Sequence, residues 1–325
     1  MNRSLRPLFA TTAIFILAYL MAVAQFPAML STRVVGNLLT DNAFLGIVAV
    51  GMTFVILSGG IDLSVGAVIG FTTVLIAVLI MWAGLHPLAA FAVALIVAAA
   101  FGAAMGAAIH YLRVPSFIVT LAGMFLARGA ASVLSPDSIG IKHDFYSAVS
   151  KAYILLPGGG RLTTIAILML LVFIFGIVLA HRTRFGACVY AIGGSETSAA
   201  LMGVPVARTT ILIYTLSSTL AGLAGVVFSL YTSAGYSLNA LGMELDAIAA
   251  VVIGGTLLTG GYGLVAGTFI GVMLQGLVQT YIVFDGTLSS WWTKIVIGGL
   301  LFMFIVLQRL IFSTSARKRK TLGTP

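Results

Sequence analysis

Apolar residues run almost unbroken from Phe44 to Leu134, a stretch in which only Asp62, Arg113 and Arg128 carry formal charge. No soluble fold accommodates such a segment, because a water-facing surface must be polar and soluble domains carry about 25% charged residues. The whole chain shares the bias: its 325 residues are 60% hydrophobic and 8% charged. That scarcity of charge excludes a soluble enzyme, a nucleic-acid binder and a disordered chain. Lipid has to be the main solvent.

Apolar runs fall at 8–25, 42–57, 61–84, 87–112, 115–134, 162–180, 210–232, 246–259, 262–284 and 291–312. A crossing helix takes about 20 apolar residues, whereas membrane strands alternate over segments of about ten. The pattern predicts an all-α polytopic membrane protein with about ten transmembrane helices. It forms one transmembrane domain over 1–325, with a short tail at about 313–325. The loops are too short for a second domain, which needs at least ~50 residues. The single cysteine, Cys188, offers neither an internal disulfide nor a metal-site pattern.

The net charge of +9 sorts by position. With ten spans, Arg3, Arg6, Arg113, Arg182, Arg184, Arg208, Arg309, Arg317, Lys318, Arg319 and Lys320 share one face. Arg33, Lys142, Lys151, Arg161 and Lys294 fall on the other, and Arg128 sits inside a span. The positive-inside rule then makes both termini and the 181–209 loop cytoplasmic and turns the 135–161 loop outward. A competing reading takes Arg3, Arg6, the first apolar run and Ala22-Val23-Ala24 as a cleavable signal peptide. Its removal would leave nine spans and fit the charge asymmetry less well.

The segment Gly59-Gly-Ile-Asp-Leu-Ser-Val-Gly66 breaks the apolar pattern. Glycine lets the backbone leave a helix, and Asp62 and Ser64 suit the start of the next one. It reads either as a capped helical hairpin or as a polar break lining a solute path. A shift of 201 residues aligns Ala49–Gly70 with Ala250–Gly271, with the Gly-Gly pair in register. Such internal Gly-Gly hairpin repeats are typical of transporters, although both copies here run in the same direction. Candidates for the translocation path are Thr53, Ser58, Asp62, Ser64, Thr256, Thr259, Gln275 and Gln279. Each alone equally suits helix packing. Glu244 and Asp246 read as helix-start carboxylates. Trp291 and Trp292 read as interface anchors, with stacking on a sugar as the alternative.

The polar stretch His181–Pro205 holds a second signal. Ser195 suits an N-cap, Glu196 a first turn, and Gly203 with Pro205 a stop, which predicts a short helix along the membrane face. It either rests on lipid or docks a cytoplasmic partner. The chain contains no Gly-Lys dipeptide and hence no P-loop.

Four stretches now resemble a known family: Gly59–Gly66, Val114-Pro-Ser-Phe-Ile-Val-Thr-Leu-Ala-Gly-Met124, Tyr190-Ala-Ile-Gly-Gly194 with Ser198-Ala-Ala200, and Glu244–Gly255. Together they are similar to the ribose/xylose/galactose-type ABC sugar importer permeases, over about residues 10–312. Asn37–Gly46 and Phe284–Lys294 most resemble a permease subunit of the bacterial galactofuranose importer. The resemblance implies a multi-pass inner-membrane permease that is not itself an enzyme. A paralogous permease would complete a heterodimer. A separate cytoplasmic ATPase would carry ATP and Mg, and a periplasmic binding protein would deliver the sugar. It implies ATPase docking around Gly193, Gly194, Glu196, Ala199 and Gly203, with no cofactor or metal on this chain and no nucleic-acid partner. The alternative is an ion-coupled secondary transporter of a small polar solute, for which Asp62 would be the coupling carboxylate.

Overall fold

A computed structural model of the chain describes residues 6–289 and 291–321. Arg3 and residues 322–325 of the expected tail lie outside the described residues. Helices α1 (Arg6–Gln25), α2 (Thr32–Asp41), α3 (Ala43–Leu57), α4 (Val65–Met81), α5 (Pro87–Tyr111) and α6 (Ser116–Leu134) form the first half. An irregular segment follows, with β1 (Ile139–Gly140), α7 (Asp144–Lys151), β2 (Tyr153–Leu155) and β3 (Arg161–Thr163). Then come α8 (Thr164–Arg182), α9 (Arg184–Gly194), α10 (Glu196–Leu201), α11 (Val206–Thr232), β4 (Ala234–Gly235), α12 (Met243–Ile253), α13 (Val265–Asp285) and α14 (Trp291–Thr321). Strand pairs β1–β4 and β2–β3 make two antiparallel ribbons. These short ribbons are the only departure from an all-helical fold among the described residues.

Every expected apolar run holds one helix, but the runs differ in reach. Six helices, α1, α5, α6, α8, α11 and α13, are long and apolar enough to cross a membrane alone. A seventh crossing arises if α2 and α3, bent by 55°, count as one broken span. Helix α4 and residues 291–306 of α14 are shorter apolar helices. The run 246–259 behaves differently from the expected full span. Helix α12 has 11 residues, a rise of about 16 Å against a hydrocarbon core of ~30 Å. Irregular chain between β4 and α12 runs along α4, with the carbonyls of Ser237, Asn239 and Ala240 close to Gly70 and Gly66. Its polar backbone is satisfied by side chains: Tyr236 N donates to Thr73 Oγ1 at 3.3 Å, and the Arg128 guanidinium donates to the carbonyls of Ser237 and Asn239. Irregular backbone inside a membrane protein requires such partners. Arg128, costly in lipid, is thereby paired inward.

Helix α3 is the core. All its residues except Phe44 are buried, which is why its sequence shows no polar face. The outer helices expose apolar side chains instead: Leu17 and Leu20 on α1, Ile96 on α5, Phe125 on α6 and Ile174 on α8. That is the expected polarity for a bundle solvated by lipid. Helix α1 is tied in by Thr11 Oγ1, which donates to the Ile253 carbonyl at 2.8 Å.

Candidate functional site

Both Gly-Gly segments lie in breaks between helices. Helix α3, a break at 58–64 and helix α4 match helix α12, a break at 254–264 and helix α13. Gly59 takes φ +83°, a conformation that glycine adopts without penalty. The breaks meet: Gly261 N donates to the Leu57 carbonyl at 2.8 Å. Helices α3 and α12 therefore run toward one shared level, and α4 and α13 run away from it. The two helix–break–helix segments run in the same direction.

Polar side chains of neighbouring helices hold the first break. Ser116 Oγ accepts from Ile61 N at 3.3 Å, and Thr120 Oγ1 accepts from Leu63 N at 3.2 Å. The Asp62 carboxylate is fully buried. Its Oδ1 accepts from Ser64 N at 2.9 Å and Ser64 Oγ at 2.6 Å, and its Oδ2 accepts from Ser217 Oγ at 2.8 Å. Asp62 thus closes the turn before α4 and fastens it to α11. Ser116, Thr120 and Ser217 escaped the sequence reading. The i, i+4 spacing of Ser116 and Thr120 on one face of α6 was the available signal.

The other path candidates separate into four places. Thr53 is buried and shares a 2.8 Å hydrogen bond with Thr268 on α13. Thr256 is buried against Gly263, while Thr259 is exposed. Gln275 is buried and its Nε2 donates to the Asp246 carbonyl at 3.0 Å. Gln279, one turn further along the same face of α13, is exposed. Ser58 alone shares a cavity with a docking candidate. That cavity, of about 790 Å³, is lined by Ser58, Gly59, Gly60, His110, Arg113, Ser116, Glu196 and Tyr214, among others.

Helices α9 and α10 lie at the same end. Thr183 Oγ1 caps α9 by accepting from Gly186 N, and Ser195 Oγ caps α10 by accepting from Ser198 N. Gly193 packs on the junction of the breaks: a Cβ there would stand 1.8 Å from the Leu57 carbonyl oxygen and 2.4 Å from Gly261 N. Tyr190 OH donates to the Gly263 carbonyl at 2.7 Å. Burial pushes the Tyr190 phenol up to about 12, so it remains a donor at physiological pH. On α10, Ala199 faces inward while Glu196 is exposed. Leu201 and Met202, at the end of α10, are 86% and 73% exposed. Gly194 is exposed beside this surface, and Gly203 follows it. Leu201 and Met202 were not among the docking candidates of the sequence reading. Among the described residues no three His, Cys, Asp or Glu side chains gather as a metal site.

Comparison with known proteins agrees with this architecture. The family model described as branched-chain amino acid transport system / permease component matches residues 34–305. The inner membrane ABC transporter permease protein YjfF of Escherichia coli K12 is 62% identical over 303 residues, 93% of this chain and 92% of that protein. The fructose import permease protein FruG of Bifidobacterium longum is 38% identical, covering 98% and 95% of the two chains. The ribose import permease protein RbsC of Bacillus subtilis is 36% identical, covering 91% and 90%. These relatives are transporter permeases, not enzymes. With the family model spanning most of the chain and such relatives covering nearly all of it, the protein belongs to the branched-chain amino acid transport system / permease component family, as a multi-pass inner-membrane permease.

Proposed function

We propose that this chain is one permease subunit of an ATP-driven sugar importer, with galactofuranose as its sugar. The observation that carries the reading is the contact of Gly193 with Leu57 and Gly261. It gives the exposed surface of α10 a rigid route, through α9, to both breaks at once. The names of FruG and RbsC support a sugar, and the Asn37–Gly46 and Phe284–Lys294 stretches support the furanose.

In this account the α9–α10 end faces the cytoplasm, which the distribution of basic residues supports, and both termini lie there with it. A separate ATPase, carrying ATP and Mg, docks over Glu196, Leu201 and Met202. Its closure displaces α10, and α9 transmits the displacement to the junction of the breaks. Ser58 and Thr259 lie where that movement opens the bundle. Asp62, Ser64, Thr53 and Thr256 hold the moving helices in register. A paralogous permease completes the pathway, and the ribboned 135–161 end receives the periplasmic binding protein. Energy input is left to the ATPase, and the hydrogen bonds of both Asp62 carboxylate oxygens to protein donors support a structural role for Asp62.

The test is purification in mild detergent with mass-spectrometric identification of the stable partners. An ABC ATPase and a second permease of this family should accompany the chain in fixed ratio. A homogeneous preparation of this chain alone, active in sugar uptake, would refute the assignment.

A further inference from the structure

The one ion pair among the described residues joins α12 to α14. Lys294 Nζ lies 2.6 Å from Asp246 Oδ2 and 2.7 Å from Oδ1. Lys294 is open to the surroundings at 55% exposure, and Asp246 is partly open at 22%. Their depth is fixed by α13. Gln275 stands at the midpoint of Val265–Asp285, a helix long enough to cross the membrane, and its amide donates to the backbone carbonyl of Asp246. Asp246 therefore sits at about half the height of a crossing helix, and Lys294 reaches it from the first turn of α14. Against acyl chains an exposed charge at that depth costs at least about 2.5–3.5 kcal/mol. The face it occupies must open on water or on a polar surface.

The neighbouring side chains narrow the choice. Trp291 is 75% exposed and stands one helical turn from Lys294, so the two adjoin on the surface of α14. Gln279 is exposed one turn beyond Gln275, on the same face of α13. Carboxylate, ammonium, carboxamide and indole together suit a polyhydroxyl ligand. The carboxylate accepts from sugar hydroxyls, the ammonium and amide donate to them, and the indole covers an apolar C–H face. With no sugar present the two charges satisfy one another, so neither is left unpaired inside the membrane. A passing sugar exchanges one set of hydrogen bonds for another, and the net gain of each stays small. That suits passage better than capture.

We propose that Asp246, Lys294 and Trp291 form the sugar contact of the translocation path, on the face where this chain meets its partner permease. The proposal rests on the sugar-importer reading above; it takes up the sugar-stacking alternative for Trp291 and adds Asp246 and Lys294, which the path candidates did not include.

The experiment uses vesicles holding the full complex of both permeases and the ATPase, with the binding protein outside and ATP at the ATPase. Uptake of radiolabelled D-galactose is measured, with unlabelled D-ribose as competitor. Asp246→Asn and Lys294→Met should each lower uptake by roughly tenfold, as expected for loss of a charge-assisted hydrogen bond. The exchanged pair, Asp246→Lys with Lys294→Asp, should not restore it. Trp291→Ala should change the galactose-to-ribose preference by about threefold or more, while assembly is followed by co-purification of the partner permease. Restoration of uptake by the exchanged pair would make the ion pair a clamp between helices or a partner contact, and overturn the proposal. An unchanged preference in Trp291→Ala would do the same, including where the charge variants fail to assemble. If the wild-type complex imports no galactose, the importer reading falls and this inference with it. Wild-type import beside unaffected variants sinks this inference alone.

Discussion

Gly193 and Leu57 touch through their backbones, and the Gly193 Cα stands so close that a Cβ would lie 1.8 Å from the Leu57 carbonyl oxygen. That oxygen is also the acceptor for Gly261 N. One glycine therefore rests on the hydrogen bond that joins the two broken helices. Movement of α9 along the membrane has to disturb both breaks, because main-chain atoms at this distance cannot slide past one another independently.

Gly193→Ala should uncouple the transporter without dispersing it. The added methyl forces a shift of α9 away from the junction, an overpacking cost of about 1–3 kcal/mol. ATP-driven uptake in vesicles is expected to fall more than tenfold, with the partner ATPase still co-purifying. Unchanged uptake would show that the contact transmits nothing.

Tyr190→Phe tests the second contact of α9 with the breaks. It removes only the hydroxyl that donates to the Gly263 carbonyl, a net loss of about 1 kcal/mol. A few-fold decrease in uptake is expected, and the decrease should be the same across physiological pH, because the phenol titrates only near 12. A decrease that varies over that pH range would point to a different partner for α9.

Leu201→Asp combined with Met202→Asp places two carboxylates on the exposed end of α10. Both positions face outward, so thermal stability of the chain in detergent should change by less than about 0.5 kcal/mol per site. Co-purification of the ATPase should be lost. Retention of the ATPase at wild-type stoichiometry would place docking elsewhere.

Asp62 separates energy sources. Asp62→Ala strands the buried Ser64 and Ser217 donors, at about 1–3 kcal/mol for each unsatisfied group, and should lower the melting temperature clearly. Asp62→Asn keeps an acceptor for part of the set and should retain substantial ATP-driven uptake. Complete loss of transport in a well-folded Asp62→Asn protein would favour ion coupling through this carboxylate.

Much of the architecture was legible because lipid leaves little choice: each of the ten apolar runs holds a helix, and the break at Gly59 and the cap at Ser195 stand where local chemistry puts them. The short reach of α12 was not legible. Its apolar run looks like a span, and the descending segment before it depends on Thr73 and Arg128, which belong to other helices. The candidate site was legible by residue type and not by direction. Asp62 finds Ser217 on a helix 155 residues away, and Thr53 finds Thr268 across 215. Nothing local says whether such a side chain faces a path or a neighbour. The exposed pair of Asp246 and Lys294 was hidden for the same reason, since each residue alone looks like an ordinary helix-start charge.

The most direct test of the central claim compares two sets of vesicles under identical sugar gradients. One contains this chain, its partner permease and the ATPase, with the binding protein outside. The other contains this chain alone. Uptake of radiolabelled D-galactose should occur only in the first set, should require hydrolysable ATP at the ATPase, and should persist when the proton gradient is collapsed. Uptake by the chain alone, driven by a proton gradient and indifferent to ATP, would contradict the account.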